Sequence, residues 1–156
     1  MLTHAELLEQ LIYHPETGTF ERKKGKRIGK SLTKNGYKLI CVKHKQLYAH
    51  RLAWFYVNGD WPSSLVDHIN GNRADNRIHN LRLATKAQNA VNSKVVRSSS
   101  GRRGVYIQSN TRKYRVRLTL NGKRNVHIGY FSSKEEAAKA RNEAMAKAYG
   151  AFARAA

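Results

Sequence analysis

One segment near the C-terminal end has little freedom in what it can become. Tyr114, Val116, Leu118 and Leu120 alternate with Arg115, Arg117 and Thr119, the period of two of a strand with one face buried and the other in water. Asn121-Gly122 follows, a pair whose tolerance of positive φ selects a tight hairpin turn. Val126, Ile128 and Tyr130 resume the alternation on a returning strand. Gly104–Gln108 supplies a first strand, and Ser132-x-x-Glu135 is a capping box for a helix rich in alanine (137, 138, 140, 144, 146 and 148) that Gly150 ends. Small side chains let such a helix lie close against a sheet. The expectation is three antiparallel strands backed by one helix, with Tyr114, Val116, Leu118 and Leu120 turned inward and Arg115, Arg117 and Thr119 outward.

Ahead of this segment, Val-Arg-Ser-Ser-Ser-Gly-Arg-Arg at 96–103 is small, polar and aperiodic, the composition of a linker. It separates a module over 1–95 from one over 104–156. In the first, Thr3-x-x-Glu6 opens a short helix through about Tyr13, which Pro15 and Gly18 end. Strands are expected near Thr19–Arg22, Tyr37–Lys43 and Gln46–His50, then an apolar helix, Arg51–Asn58, stopped by Gly59 and Pro62. Trp54, Phe55, Tyr56 and Trp61 supply core, and Cys41 reads as a small core residue. Ser63 to Asn80, mostly Asn, Asp, Gly and Arg around Val66 and Ile69, reads as an ordered loop, with a short helix at Lys86–Ser93 after it.

Charge narrows the partner. Thirty Lys and Arg stand against ten Asp and Glu, a net charge of +20, which calls for a polyanion. Nucleic acid comes first, because releasing phosphate counterions supplies binding free energy; an anionic membrane surface comes second. The charge is also segregated. Between Glu21 and Asp60 there are no acids and eleven Lys and Arg; between Asp75 and Glu135 there are no acids and fourteen. Segregation favours anion-binding faces over a merely solubilising surface. No apolar run approaches the ~18 residues of a membrane span, Met1 to Ile12 lacks the basic start of a secretory signal, and a lone Cys41 excludes disulfide frameworks and Cys-rich zinc sites. The expected setting is a reducing cytoplasm.

The chemistry concentrates in Val66-Asp67-His68-Ile69-Asn70-Gly71-Asn72, continuing through Asn80-Leu81-Arg82 to Asn89. Phosphodiester hydrolysis needs a base for water and a hard cation against phosphate charge. His68 titrates in the right range for the base, and Asp67 is one of few carboxylates in a basic region. A carboxylate with an Asn carbonyl is an oxygen set suited to Mg²⁺ that keeps several waters. On a strand, Asp67 and His68 would point to opposite sides. Composition alone leaves another account open: Asp, His and Asn as turn formers making Asx turns and caps.

The run His50-Arg51-Leu52, Val66 to Asn72, Asp75-Asn76-Arg77 and Asn80-Leu81-Arg82, with Thr85 and Asn89, resembles the HNH endonucleases, in particular the phage and intron-encoded homing or nicking branch. The resemblance covers roughly residues 37–92. It implies a hairpin and a helix gripping one divalent cation, with Asp67 and Asn89 at ligand positions and His68 as general base. Asn80 falls at the position that orients the loop carrying the histidine. Asn89 stands where the namesake motif ends in His, and a neutral oxygen ligand favours Mg²⁺ or Mn²⁺ over Zn²⁺. Products would carry 5′-phosphate and 3′-hydroxyl ends. His50, by contrast, reads as a packing or phosphate-contact residue, and His4, His14 and His44 as surface residues.

Gly104-Val105, Tyr114, Ile128-Gly129-Tyr130-Phe131 and Glu135-Glu136-Ala137-Ala138 resemble the Apetala-two or ethylene-response-factor (ERF) DNA-binding domain, over residues 104–152. That family lays a three-stranded sheet in the major groove. Tyr106, Gln108, Arg117, Thr119, Asn125 and His127 match its contact positions, and Arg115 shares the outward face; the Arg and Trp of the plant domains are absent at several of these places, so the recognised sequence does not carry over. The whole reads as an α+β chain, an HNH nuclease module followed by a sheet-and-helix DNA-binding module. It would cut double-stranded DNA with one divalent cation, as a monomer or weak dimer and without a membrane. Lys23, Lys24, Lys26 and Arg27 would add backbone contacts. A non-catalytic DNA-binding regulator and a basic RNA-binding protein are the rival readings.

Overall fold

A capping box opens the chain in the computed structural model, which describes residues 2–25, 28, 31–92 and 99–153. Thr3 accepts from the Glu6 amide while the Glu6 carboxylate accepts from the Thr3 amide, starting α1 (His4–Gln10). The helix stops short of Tyr13. Leu11 to His14 form a strand, β1, paired antiparallel with β2 (Thr19–Arg22). Leu11 and Tyr13 are buried and Ile12 exposed, so an alternating pattern of period two wins over the helical one.

A three-stranded antiparallel sheet follows, β3 (Ser31–Leu32), β4 (Lys38–Val42) and β5 (Lys45–Tyr48), in that order. Lys43 and His44 both have positive φ in the β4–β5 turn, as a tight hairpin requires. Ile40 and Val42 face the core, so Cys41 between them is exposed, contrary to its expected core placement. Helix α2 (Ala49–Asn58) ends at Gly59, whose φ of 81° closes it in the left-handed conformation. Leu7, Leu11, Ile40, Val42, Leu52 and Phe55 anchor one core, with Trp54, Tyr56 and Trp61 packed on it. The stretch expected to be a loop contains structure: β6 (Leu65–His68) pairs antiparallel with β7 (Leu81–Ala84), and a 3-10 turn, Ile78–Asn80, leads into the second strand.

The chain divides into two units, Met1–Thr85 and Lys86–Ala156. The boundary falls before α3 (Lys86–Val91), earlier than the expected linker at 96–103. Residues 96–98 of that linker lie outside the described residues; Ser100 is buried, and its hydroxyl donates to the Val105 carbonyl at 2.7 Å. In the second unit β8 (Val105–Ile107), β9 (Tyr114–Leu120) and β10 (Lys123–Phe131) make an antiparallel sheet with β9 in the centre. Asn121 and Gly122 both take positive φ in its turn. Val105, Val116 and Leu118 form the core with Val91, Ala137 and Met145, the last two from α4 (Lys134–Tyr149). The cap of α4 is Ser133 with Glu136, one residue later than expected, and the Glu136 carboxylate accepts from both the Ser132 and Ser133 amides. No helix among the described residues is long and apolar enough to cross a membrane.

Candidate active site

The β6–β7 hairpin carries the two residues on which hydrolytic chemistry would depend. Asp67 and Arg82 face each other across it, and the Arg82 guanidinium donates to Asp67 Oδ2 through Nε at 3.0 Å and Nη2 at 2.9 Å. His68, 3% exposed, lies with Nε2 3.2 Å from Asn76 Oδ1. The Asn76 amide nitrogen points to the Ala74 carbonyl, which fixes the oxygen end toward His68. That oxygen only accepts, so His68 Nε2 carries the proton and donates, and the ring lone pair sits on Nδ1. Burial pushes the His68 pKa below its ordinary value, against the opposing pull of the Asn76 hydrogen bond, Asp67 and Asp75. The ring is therefore neutral near pH 7, the form that accepts a proton.

Asn80 organises the loop between these strands. Its carbonyl accepts from the Ile69 amide at 2.9 Å, its Oδ1 accepts from the Asn70 amide at 3.0 Å, and its Nδ2 donates to Asn70 Oδ1 and the Asp75 carbonyl. Asp75 accepts two hydrogen bonds from Arg77, at 2.8 and 2.6 Å, which hold its carboxyl well below the usual carboxylate range. The turn is thus cross-linked by local hydrogen bonds centred on Asn70, Asp75 and Asn80.

Sequence reasoning missed the surroundings of His68. The His50 ring, 7% exposed, meets it edge-on with centroids 5.1 Å apart. Tyr37 lies 5.1 Å from His50 and 6.0 Å from His68, beneath the Arg73 guanidinium. Burial, then the fields of His68 and Arg51, push His50 down to about 3. His50 belongs to the run that resembles the HNH endonucleases, but only the fold brings its ring and that of Tyr37 against His68. His4 is not a simple surface residue either: its Nε2 meets the Tyr56 carbonyl at 2.9 Å and its ring packs on Phe55.

Asn89 lies on α3, in the second unit, half-buried. Among the described residues no three His, Cys, Asp or Glu side chains gather as metal ligands. The chemistry of the donors, one carboxylate and amide oxygens, does not suit Zn²⁺, which takes thiolates and imidazoles. It fits a hard cation that keeps water and borrows phosphate oxygens.

In the second unit the outward sheet face is built in rows. Tyr106, Arg115 and Tyr130 oppose one another across β8, β9 and β10, and Arg117 opposes His127; opposed residues share a face. The Arg117 guanidinium lies 5.8 Å over the Tyr106 ring. Thr119 and His127 are exposed on the strands, and Asn125 is exposed with a φ of 60° where the β9–β10 register shifts. Gln108 follows β8, its amide donating to the Lys113 carbonyl. Lys23 and Lys24 of the first unit are exposed; Lys26 and Arg27 lie outside the described residues.

The family model described as HNH endonuclease matches residues 47–91. The SPbeta prophage-derived protein YosQ of Bacillus subtilis (strain 168), whose name assigns it to the HNH homing endonucleases, is 32% identical over 57% of this chain and 56% of its own. The uncharacterized HNH endonuclease L560 of Acanthamoeba polyphaga mimivirus is 32% identical over 78% of this chain and 63% of its own. Protein 3.8 of Escherichia phage T7 is 33% identical over 53% of this chain and 73% of its own. The chain thus spans less than two thirds of the length of the first two relatives. No solved structure matches it significantly. The match to the HNH endonuclease model thus lies over the β6–β7 hairpin, and two of these relatives, YosQ and L560, are named for that same family.

Proposed function

We propose that this chain is a metal-dependent endonuclease of the homing or nicking type, hydrolysing one phosphodiester bond in duplex DNA per catalytic event. The observation that carries this reading is His68: a neutral, buried imidazole, hydrogen-bonded through Nε2, beside Asp67 on the family's hairpin. His68 Nδ1 takes a proton from water as the oxygen attacks phosphorus. The 3′ oxygen departs and takes a proton from solvent water, leaving 5′-phosphate and 3′-hydroxyl ends. Asn80 keeps the His68 loop in place and does no chemistry itself. Asp67 and, by the resemblance, Asn89 would hold one Mg²⁺ or Mn²⁺, which supplies positive charge against the phosphate and the departing oxygen.

The second unit would place the chain on DNA. Its three-stranded sheet with a helix behind it is the arrangement expected of an ERF-type domain. Tyr106, Gln108, Arg115, Arg117, Thr119, Asn125 and His127 would contact the groove and phosphates, the arginines reading guanine edges. Lys23 and Lys24 would add backbone contacts that position without specifying.

A supercoiled-plasmid assay with Mg²⁺, with and without chelator, tests the reading. Wild type relaxes or linearises the plasmid only with metal, and His68→Ala loses at least 100-fold in rate, the lower end of what a positioned base contributes. Equal cutting by both proteins would overturn the assignment of His68. Binding without cutting would make the chain a regulator, and preference for structured RNA over duplex DNA would move it to another class.

A further inference from the structure

The β1–β2 hairpin lies outside the stretch that matches the HNH family, yet it touches the loop that holds His68 at three points. The Tyr13 hydroxyl donates to the Asn76 carbonyl at 2.6 Å. The Pro15 carbonyl accepts from the Ile78 amide at 3.2 Å. Gly18, at a φ of +67°, lies so close to the loop that a Cβ there would fall 2.4 Å from the Arg77 nitrogen and 2.5 Å from the Asn76 carbonyl carbon. Asn76 is fully buried between these contacts and the His68 ring. Its amide has only one orientation available, because its nitrogen end is taken by the Ala74 carbonyl.

We propose that Asn76 is a positioning residue that fixes the tautomer and rotation of the His68 ring, and that the N-terminal hairpin is the brace that holds Asn76. The proposal rests on His68 being the base. A neutral imidazole can carry its proton on either nitrogen, and its ring can turn about the bond to Cβ. An acceptor held rigidly at Nε2 selects the Nε2–H form and stops the turn, keeping the lone pair of Nδ1 aimed in one direction. An Asn side chain on a free loop would itself turn. Tyr13, Pro15 and Gly18 prevent that by tying down the backbone from Asn76 to Ile78.

The test reads the ring itself and needs no cleavage, so its failure and the failure of the nuclease reading are distinguishable. Two-bond ¹H–¹⁵N correlation spectra of the full chain near pH 7.5 report which histidine nitrogen bears the proton. In wild type, His68 should give one bare Nδ1 and one protonated Nε2. In Asn76→Ala the two signals should move toward each other as both tautomers become populated; in Asn76→Asp, which keeps an accepting oxygen, they should stay apart. Tyr13→Phe, which keeps the packed ring and deletes only the hydroxyl, should move them in the same direction by less, and carries the test if Asn76→Ala does not fold. Cleavage kinetics should show a roughly 10–100-fold loss of kcat for Asn76→Ala, the range seen when a partner orienting a functional histidine is removed, with KM for DNA unchanged. A proton on Nδ1 in wild type, or unmoved signals in Asn76→Ala, would overturn the role of Asn76. Wild-type signals in Tyr13→Phe would overturn the brace.

Discussion

His50 and His68 lie with rings 5.1 Å apart and have opposite prospects. His68 has an accepting partner and carboxylates nearby that partly offset its burial. His50 has neither: its buried Nδ1 has no hydrogen-bond partner, and burial with neighbouring positive charge drives its pKa to about 3. The consequence is a pH dependence of stability. An unfolded His takes up its proton as pH falls through about 6.5, whereas folded His50 resists until about 3. The contribution is whole above about 6.5 and is lost as pH drops from there toward 3, at up to about 1.4 kcal/mol per pH unit. Melting temperature measured from pH 7.5 to 4 should fall in wild type and fall less steeply in His50→Phe. Identical slopes would mean that His50 is not held neutral. None of this is written in the chain near His50. Asp67, His68 and Asn80 stood out because they form a recurrent spacing, but Tyr37, His50 and Asn76 gain their roles only through contacts between distant segments.

At the scale of elements, the β6–β7 hairpin works as a frame with Asn80 as its crosspiece. Three hydrogen bonds made by the Asn80 side chain close the turn that begins at Ile69, and Asn80 itself is buried. Asn80→Ala should therefore cost about 1–3 kcal/mol of stability and lower the cleavage rate, while DNA affinity stays near wild type. Urea denaturation and filter binding on the same preparation separate the two effects; a large loss of affinity would place Asn80 at the DNA. Length was one reason why some elements could be read from sequence and others not, although the short β2 and β8 were also expected. β9 and β10, seven and nine residues long, show enough alternation to be unmistakable. β1 and β6 have four residues each, too few for period two to stand out, and β6 is embedded in turn-forming Asn, Asp and Gly. Two overlapping Ser-x-x-Glu patterns at the start of α4 explain the one-residue error in its cap, since residue types alone do not rank them.

At the scale of the whole molecule, the charge of +20 would set affinity for the proposed DNA substrate, and any sequence preference would come from fewer residues. Charge that neutralises phosphates works on any sequence, and DNA binding should weaken by orders of magnitude between about 50 and 200 mM salt if six or more phosphates are engaged. Arg117 is the residue placed to do something different. It stands on the central strand of the second unit, opposite His127 and over the Tyr106 ring, so its guanidinium is steered by neighbours and costs less to order on a target. A bidentate contact to guanine from such a group gives about 1–3 kcal/mol of discrimination. Arg117→Ala should then weaken binding to a preferred site, selected from a random library, by that amount, and leave binding to unrelated duplexes and the salt dependence near wild type. If Arg117 instead meets a phosphate, the loss will be uniform across sequences and the slope of log affinity against log salt will fall by about one. Competition binding on the selected site and on an unrelated duplex, each at several salt concentrations, tells these apart in a single variant.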